Sequence, residues 1–436
     1  MTLIGKPLMQ MTRRGAALCV VAIGLAATAG MIGGCSTGSG SAASQLANPS
    51  AAPSASNTSV ARRNVSAKVA LLLPLSATGH PAVVAKGMKQ AAELALFENN
   101  NPGFRLLVKD TRGTADGAAA AATAALSEGA ELIIGPMFSK SVASVSQVAR
   151  QARVPVIAFS NDQRVAGNGT YLLSFLAQEE VDRVVRFAAA QGRRQYAALV
   201  PDNDYGRLIE AAFRSSVSQS GGVVVVLERY PANAGGVLAP ARKLMEEIKG
   251  AEETGIPIDA LFVPGGPEVI ANLGPIIATA QLDMTRIKML GSGGWDYPNL
   301  GREAAFIGGW YPAPEPRGWR DFSQKFAKTF GSAPPRIASL AHNAVTMAVR
   351  LAATNPKGAR YSAATLTRAN GFAGVDGPVR FTRSGLAQRG LAVLEVQSYG
   401  PRVVSPAPRS FASGSAAPKT PVATGALPFL SSQLGN

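Results

Sequence analysis

Residues 68–76 read KVALLLPLS, an apolar run that ends at Pro74 and turns polar at Ser76. Such a run, closed by a turn signal, predicts a strand buried on both faces, Lys68 to Leu73. Helix-spaced apolar residues follow: Val83, Val84, Met88, Ala91, Ala92 and Leu96 predict a helix over 80–97. The unit then recurs. Strands are expected at 104–109, 132–134 and 154–159, with helices at 115–127 and 141–151. Beyond a break near 171–178 come strands at 195–200, 222–227, 260–263 and 288–290, with helices at 207–218 and 268–280. Strand–helix alternation of this kind means parallel sheets covered on both faces. At least seven such strands divide better into two doubly wound lobes than into one sheet. Later the alternation stops. Helices are expected at 321–330 and 337–353, and 377–381 with 391–396 read as an antiparallel pair.

Outward from this body the chain changes character. Arg13-Arg14 precede an apolar run from Ala16 to Ile32 that ends in Gly33-Gly34-Cys35. That is the layout of a secretory signal with a small-residue cleavage site. Residues 32–35 (IGGC) resemble a bacterial lipobox, in which the cysteine is lipidated and becomes the first mature residue. A membrane-spanning anchor is the alternative, but the run is short and glycine-rich for one. Residues 36–66 are Ser, Ala, Pro and Gly-rich and read as a flexible tether spanning about 30 Å on average. Residues 401–436 have similar composition and read as a disordered tail. The expected division is therefore 1–34 signal, 35–66 lipidated Cys35 and tether, 67–175 with 308–372 as lobe 1, 176–307 with 373–400 as lobe 2, and 401–436 tail.

Composition narrows the chemistry. The chain has 436 residues, 47% apolar and 16% charged, with a formal charge of +16. A basic surface favours anionic neighbours, or the arginines are simply spread over solvated faces. Only residues 6–14 and Arg62-Arg63 are clustered, without interleaved aromatics, so no nucleic-acid partner is expected. Cys19 falls in the signal and Cys35 would carry lipid, which leaves the body no thiol or disulfide. With two histidines in all, there is little material for a metal site or a His-based triad. No enzyme, cofactor or metal is expected. Gly34-Cys-Ser-Thr-Gly38 matches G-x-S-x-G only formally, because it spans the cleavage point.

The body resembles the leucine/isoleucine/valine-binding proteins of the type 1 periplasmic-binding-protein family. The match runs in order through Lys68–Ser76, Gly87 opening GMKQAA, Asp110, Leu132-Ile-Ile-Gly-Pro136 with Ser139, and Val154-Pro-Val-Ile157. It continues through Asp202-Asn-Asp-Tyr-Gly206, Phe372–Phe381 and Leu391–Val396. The resemblance implies two lobes joined by three crossovers, with a ligand cleft between them. Within the fold, the Leu-Leu-Pro-Leu-Ser opening, Gln178-Glu179-Glu180 and the lipobox-plus-tether layout resemble the penicillin-binding protein activator lipoproteins. Two functions are then expected. The first is a lipid-anchored, non-enzymatic activator of a peptidoglycan synthase, on the periplasmic side of a bacterial membrane, the outer membrane being favoured in a Gram-negative cell. The alternative is the substrate-binding receptor of an ABC importer, with a permease as partner and an amino-acid-like ligand.

In open α/β sheets ligands sit beyond the carboxyl ends of the strands. The polar strand ends supply the candidates Ser76, Phe138, Ser139, Ser160, Asn161 and Asp162 from one lobe. Tyr205, Gly265, Trp295 and Asp296 come from the other. The family resemblance implies that Ser139, Ser160 and Asp162 match positions holding an α-carboxylate and α-ammonium, with Tyr205, Gly265 and Trp295-Asp296 facing them. The family position matching Asp162 is usually Thr or Ser. A carboxylate there would repel a ligand carboxylate unless Arg164 offsets it, Asp162 turns outward, or the cleft no longer takes an amino acid. Trp295 reads equally as a ligand platform or as core. His80 reads as an ordinary exposed residue and His342 as a helix-packing one.

Overall fold

A computed structural model describes residues 66–233 and 235–411. The proposed signal, the lipidation site Cys35 and most of the tether lie outside these residues. No helix among the described residues is long and apolar enough to cross a membrane.

The first lobe opens with β1 (Ala67–Leu73), α1 (His80–Asn99), β2 (Phe104–Asp110) and α2 (Ala115–Ser127). It continues through β3 (Leu132–Ile134), α3 (Ser139–Gln151), β4 (Val156–Ala158) and β5 (Thr170–Leu172). Its sheet is wholly parallel in the order β2-β1-β3-β4-β5. The opening run explains why. Val69, Leu71 and Leu73 enter one core while Ala70 and Leu72 enter another on the opposite face. Burying each large side chain contributes about 1.5–3 kcal/mol, so neither face can be left to water.

The second lobe repeats the plan. It runs through α4 (Ala177–Ala190), β6 (Gln195–Asp202), α5 (Asp204–Gln219), β7 (Val223–Pro231), α6 (Leu238–Glu253) and β8 (Ala260–Val263). It then adds α7 (Pro267–Thr279), β9 (Lys288–Gly291) and β10 (Trp310–Ala313). The parallel order β7-β6-β8-β9-β10 reproduces that of the first lobe. The chain then returns to lobe 1 for α8 (Pro316–Phe330), α9 (Ala338–Thr354), the single turn α10 (Ala363–Leu366) and the strands β11 (Phe372–Gly374), β12 (Gly377–Phe381) and β13 (Ala387–Arg389). It closes in lobe 2 with β14 (Ala392–Glu395) and β15 (Arg402–Ser405). The lobes are thus joined by three crossovers, near residues 173–177, 313–316 and 389–392.

Three boundary expectations are corrected by pairing. Strand β10, expected in lobe 1, lies between β9 and β14 in the lobe 2 sheet. Residues 373–389, expected in lobe 2, form an antiparallel sheet whose Val379, Phe381 and Ala387 share a core with Val69 and Leu71. The expected pair of 377–381 with 391–396 therefore does not form. Instead β14 pairs with β10 and β15. The expected tail holds a strand at Arg402–Ser405, which gives β14 a partner on its free edge. Periodicity fixes which residues are strand but says nothing of which strand lies alongside.

Helix α9 packs on α1, where the His342 imidazole lies 2.8 Å from Glu98 and edge-on to Phe322. Gly87 of α1 matters here. A Cβ on it would sit 2.5 Å from Pro335 in the segment before α9, so the glycine sets how closely that segment approaches.

Candidate functional site

Both sheets have their order reversal at the first and third strands, β1/β3 in lobe 1 and β6/β8 in lobe 2. Loops diverge there and leave a crevice at the carboxyl ends. In lobe 1, β3 leads through Gly135-Pro136, a cis bond, to Phe138 and the start of α3. Phe138 is extended and supplies no side-chain cap to α3, so the first-turn N–H groups remain available to an anion. Phe138 itself is 37% exposed. Strand β4 leads to Ser160, which is buried and whose hydroxyl accepts from the Asp162 N–H at 3.2 Å. Asn161 is exposed.

Asp162 ends this loop as a cap on the 3-10 turn Gln163–Val165, accepting from the Arg164 N–H. Its carboxylate also takes two parallel bonds from the Arg164 guanidinium, Nε to Oδ1 and Nη2 to Oδ2, both 2.8 Å. Those bonds, with a smaller contribution from the Ser139 hydroxyl, hold the Asp162 carboxyl below the usual carboxylate range. The unfavourable charge foreseen at this position is therefore compensated inside the loop. Ser76 is less engaged with this group. It is exposed, and its N–H donates to Asp110 Oδ1 at 3.2 Å, tying the end of β1 to the end of β2.

From lobe 2, the Asn203 side chain caps α5 by accepting from the Gly206 N–H at 2.8 Å. That cap presents Tyr205 at the start of α5, where its side chain is 39% exposed. Tyr205 and Gly265 share a cavity of about 310 Å³ with Tyr230, Asn233, Glu268 and Asn272. The cavity mixes two phenol faces with amides and one carboxylate, which suits a small polar or aromatic solute.

Trp295 is corrected to core. It is fully buried, its Nε1 donates to the Val263 carbonyl at 3.0 Å, and its ring packs on Phe306 and Tyr311. A Cβ at Gly291 would fall 2.1 Å from that ring. The glycine-rich strand end thus makes room for the indole beneath the loop and does not expose it. Asp296, the next residue, does face the lobe boundary, with its carboxylate 3.6 Å from Arg336 Nε.

The sequence reading missed several groups at this boundary. Arg336 donates to the fully buried Asp376 at 2.8 Å and stacks on Phe175 and Trp319. Arg389 stacks on Phe175 and donates from Nε to the Ser174 carbonyl at 2.8 Å. Glu180 accepts from the Gly293 N–H at 3.0 Å. Only Glu180 carried a local signal, in the acidic first turn of α4. The larger cavity of about 860 Å³ lies where α1 and α9 end, beside the amino end of β2, away from all of these residues.

This geometry agrees with what the chain resembles. The profile described as periplasmic binding protein matches residues 66–401. The chain belongs to the periplasmic binding protein family. Solved structures of the same fold include a branched-chain amino acid ABC transporter protein from Rhodospirillum rubrum, 19% identical, with TM-score 0.69 over 78% of this chain and all of that one. A solute-binding protein of an ABC transporter from Rhodopseudomonas palustris, in complex with 3,4-dihydroxybenzoic acid, is 20% identical, with TM-score 0.55 over 78% and 96%. An ABC transporter substrate-binding protein from Desulfitobacterium hafniense, in complex with Leu, is 15% identical, with TM-score 0.56 over 78% and 100%. A comparison with curated proteins returns no match. Family membership and the two-lobed α/β fold thus agree with the resemblance read from the sequence. At these identities the structural likeness speaks for the fold alone.

Proposed function

We propose that this periplasmic binding protein is the solute receptor of an ABC importer, taking a small carboxylate-bearing solute such as an amino acid or an aromatic acid. The observation that carries the reading is the pairing of Asp162 with Arg164 beside the uncapped start of α3. The one feature that argued against a ligand carboxylate is neutralised, and free N–H groups stand next to it. The aromatic and amide lining around Tyr205 and Gly265 supports a small solute on the opposite wall. Ser76, Phe138, Ser139, Ser160, Asn161 and Asp162 would serve one wall, and Tyr205, Gly265 and Asp296 the other.

The sequence reading placed a peptidoglycan-synthase activator first. The matched family and the solved structures favour the receptor, because they are solute-binding proteins. A lipid anchor at Cys35 suits the receptor role where it enters the inner membrane beside a permease, whereas the outer-membrane placement suits the activator.

Titration calorimetry of the purified chain against leucine, valine, benzoate and 3,4-dihydroxybenzoate tests the reading. Saturable binding of one of them, lost on Tyr205→Ala, is the expected result. No heat from any of them, together with recovery of a penicillin-binding protein in a pulldown, would overturn it in favour of the activator.

A further inference from the structure

Helix α1 buries two of its sides. Met88, Ala92 and Ala95 enter the core shared with β1 and α9, and Ala91 and Leu94 pack with Phe322 and Phe326 of α8. The remaining side carries Val83, Lys86, Gln90, Glu93 and Phe97. Steps of three and four residues set these five in one line along the helix, about 21 Å from end to end. Val83 is 62% exposed and Phe97 83%. Lys86 is exposed and has no ion-pair partner among the described residues. Glu93 is met from within its own helix, by Lys89 at 2.6 Å, and its side chain stays 42% exposed. A lone exposed apolar residue needs no explanation. Here two stand at the ends of one line, with a cation and an anion between them.

We propose that this face of α1 is an interface between two copies of the chain, in which the two α1 helices pair antiparallel about a two-fold axis beside Gln90. The line of residues is its own complement about that point. Val83 and Phe97 lie equally far before and after Gln90, so each Val83 meets the Phe97 of the second copy and four apolar side chains leave water together. Lys86 lies four residues before Gln90 and Glu93 three after it. Each Lys86 therefore comes within about 1.5 Å, along the axis, of the level of Glu93 in the second copy. Both stand on the flank of the line turned away from Leu94 and α8, and a two-fold axis of this kind keeps that flank on the same side in both copies. Two crossed Lys86–Glu93 pairs result. A parallel pair would instead set Lys86 against Lys86 and Glu93 against Glu93, so charge selects the antiparallel arrangement. A single helix seam buries less than the about 800 Å² per partner of a standard stable interface, so the dimer is reversible and forms as the concentration rises.

The association is measured without ligand and does not rest on the receptor reading. The full chain contains two cysteines, Cys19 and Cys35. Both are changed to serine, so that neither lipid nor a disulfide can join copies, and sedimentation velocity is run over a concentration series. We expect a dimer that grows with concentration and dissociates on dilution. Phe97→Glu sets a charge into both Val83 contacts and should leave a monomer. Lys86→Glu acts twice in a two-fold pair and should raise the dimer dissociation constant by about tenfold or more. Adding Glu93→Lys to Lys86→Glu should bring the dimer back, because the crossed pairs form again with their charges exchanged. These side chains point to solvent in the single chain, so the variants should fold, which circular dichroism checks. A monomer at every concentration up to the solubility limit overturns the proposal and leaves the face to a different protein. A dimer that survives Phe97→Glu overturns it too, as does a double variant that associates no better than Lys86→Glu alone.

Discussion

Arg164 grips Asp162 side-on, Nε to Oδ1 and Nη2 to Oδ2, both at 2.8 Å, within a loop of three residues. The guanidinium is 85% exposed while the carboxylate is 20% exposed, so the arginine closes the loop from its solvent side. This pair decides what the cleft can accept. An unpaired carboxylate about 4 Å from a ligand carboxylate would cost up to roughly 4 kcal/mol at an effective dielectric near 20.

Arg164→Ala should therefore weaken binding of leucine or benzoate, by on the order of ten- to a hundredfold once solvent screening is counted. Asp162→Thr should do the reverse, because it leaves Arg164 unpaired beside the ligand. The double variant should return close to the unsubstituted affinity. Calorimetry on the three proteins checks the pattern. Unchanged affinity in Arg164→Ala would mean that no ligand carboxylate lies near this loop.

Trp295 gives a prediction of the opposite kind. As a core residue it should matter for stability and not for binding. Trp295→Phe removes the Nε1 bond to the Val263 carbonyl and leaves that buried acceptor unpaired, at a cost of about 1–3 kcal/mol. Urea unfolding should show that loss while ligand affinity stays within about twofold. A large drop in affinity at unchanged stability would restore the platform role.

Gly206 closes the Asp202–Gly206 motif for a steric reason. A Cβ there would fall 1.6 Å from the Pro201 carbonyl oxygen, which belongs to rigid backbone. Gly206→Ala must push α5 off β6 and carry Tyr205 with it. We expect a stability loss of about 1–3 kcal/mol or more together with weakened ligand binding. Thermal melts and calorimetry on the same preparation test this, and a variant that keeps both properties would show that the turn yields more easily than the backbone contact implies.

These residues also show what a single sequence makes legible. Strand and helix positions were readable because apolar spacing is set by burial, and KVALLL must bury both faces. The polar strand ends were readable for the same reason, since polarity appears where the sheet stops. The partners across the lobes were not. Arg336 and Arg389 sit in segments without periodicity, and their roles arise only once Phe175 lies between them. Trp295 reads either way for a related reason. A glycine-rich approach marks close packing against a ring and exposure of a loop equally well, and only Gly291 beneath the indole separates the two. The placement of β10 and of β11–β13 likewise follows from edge pairing, which periodicity does not encode.

The last prediction concerns acid stability. Glu210 of α5 is buried at 8% exposure and accepts from Arg229 Nε at 2.8 Å and Arg214 Nε at 2.9 Å. Burial alone would raise its carboxyl, but the two guanidiniums outweigh it and the group lies below 4.5 in the folded protein. A carboxyl depressed on folding stabilises the fold fully above its unfolded value and loses that contribution as the pH falls through its folded value. Both arginines are more than half exposed, at 51% and 56%, so solvent weakens the pairing and the contribution is on the order of 1 kcal/mol. Glu210→Gln should be less stable than the unsubstituted chain by about that amount from about pH 8 to about pH 5. As the pH falls below 4.5 the two urea midpoints should draw together, and they should coincide once the pH is below the depressed folded value, where the unsubstituted carboxyl is protonated as well. A difference that persists undiminished to about pH 3 would assign the loss to packing and not to charge.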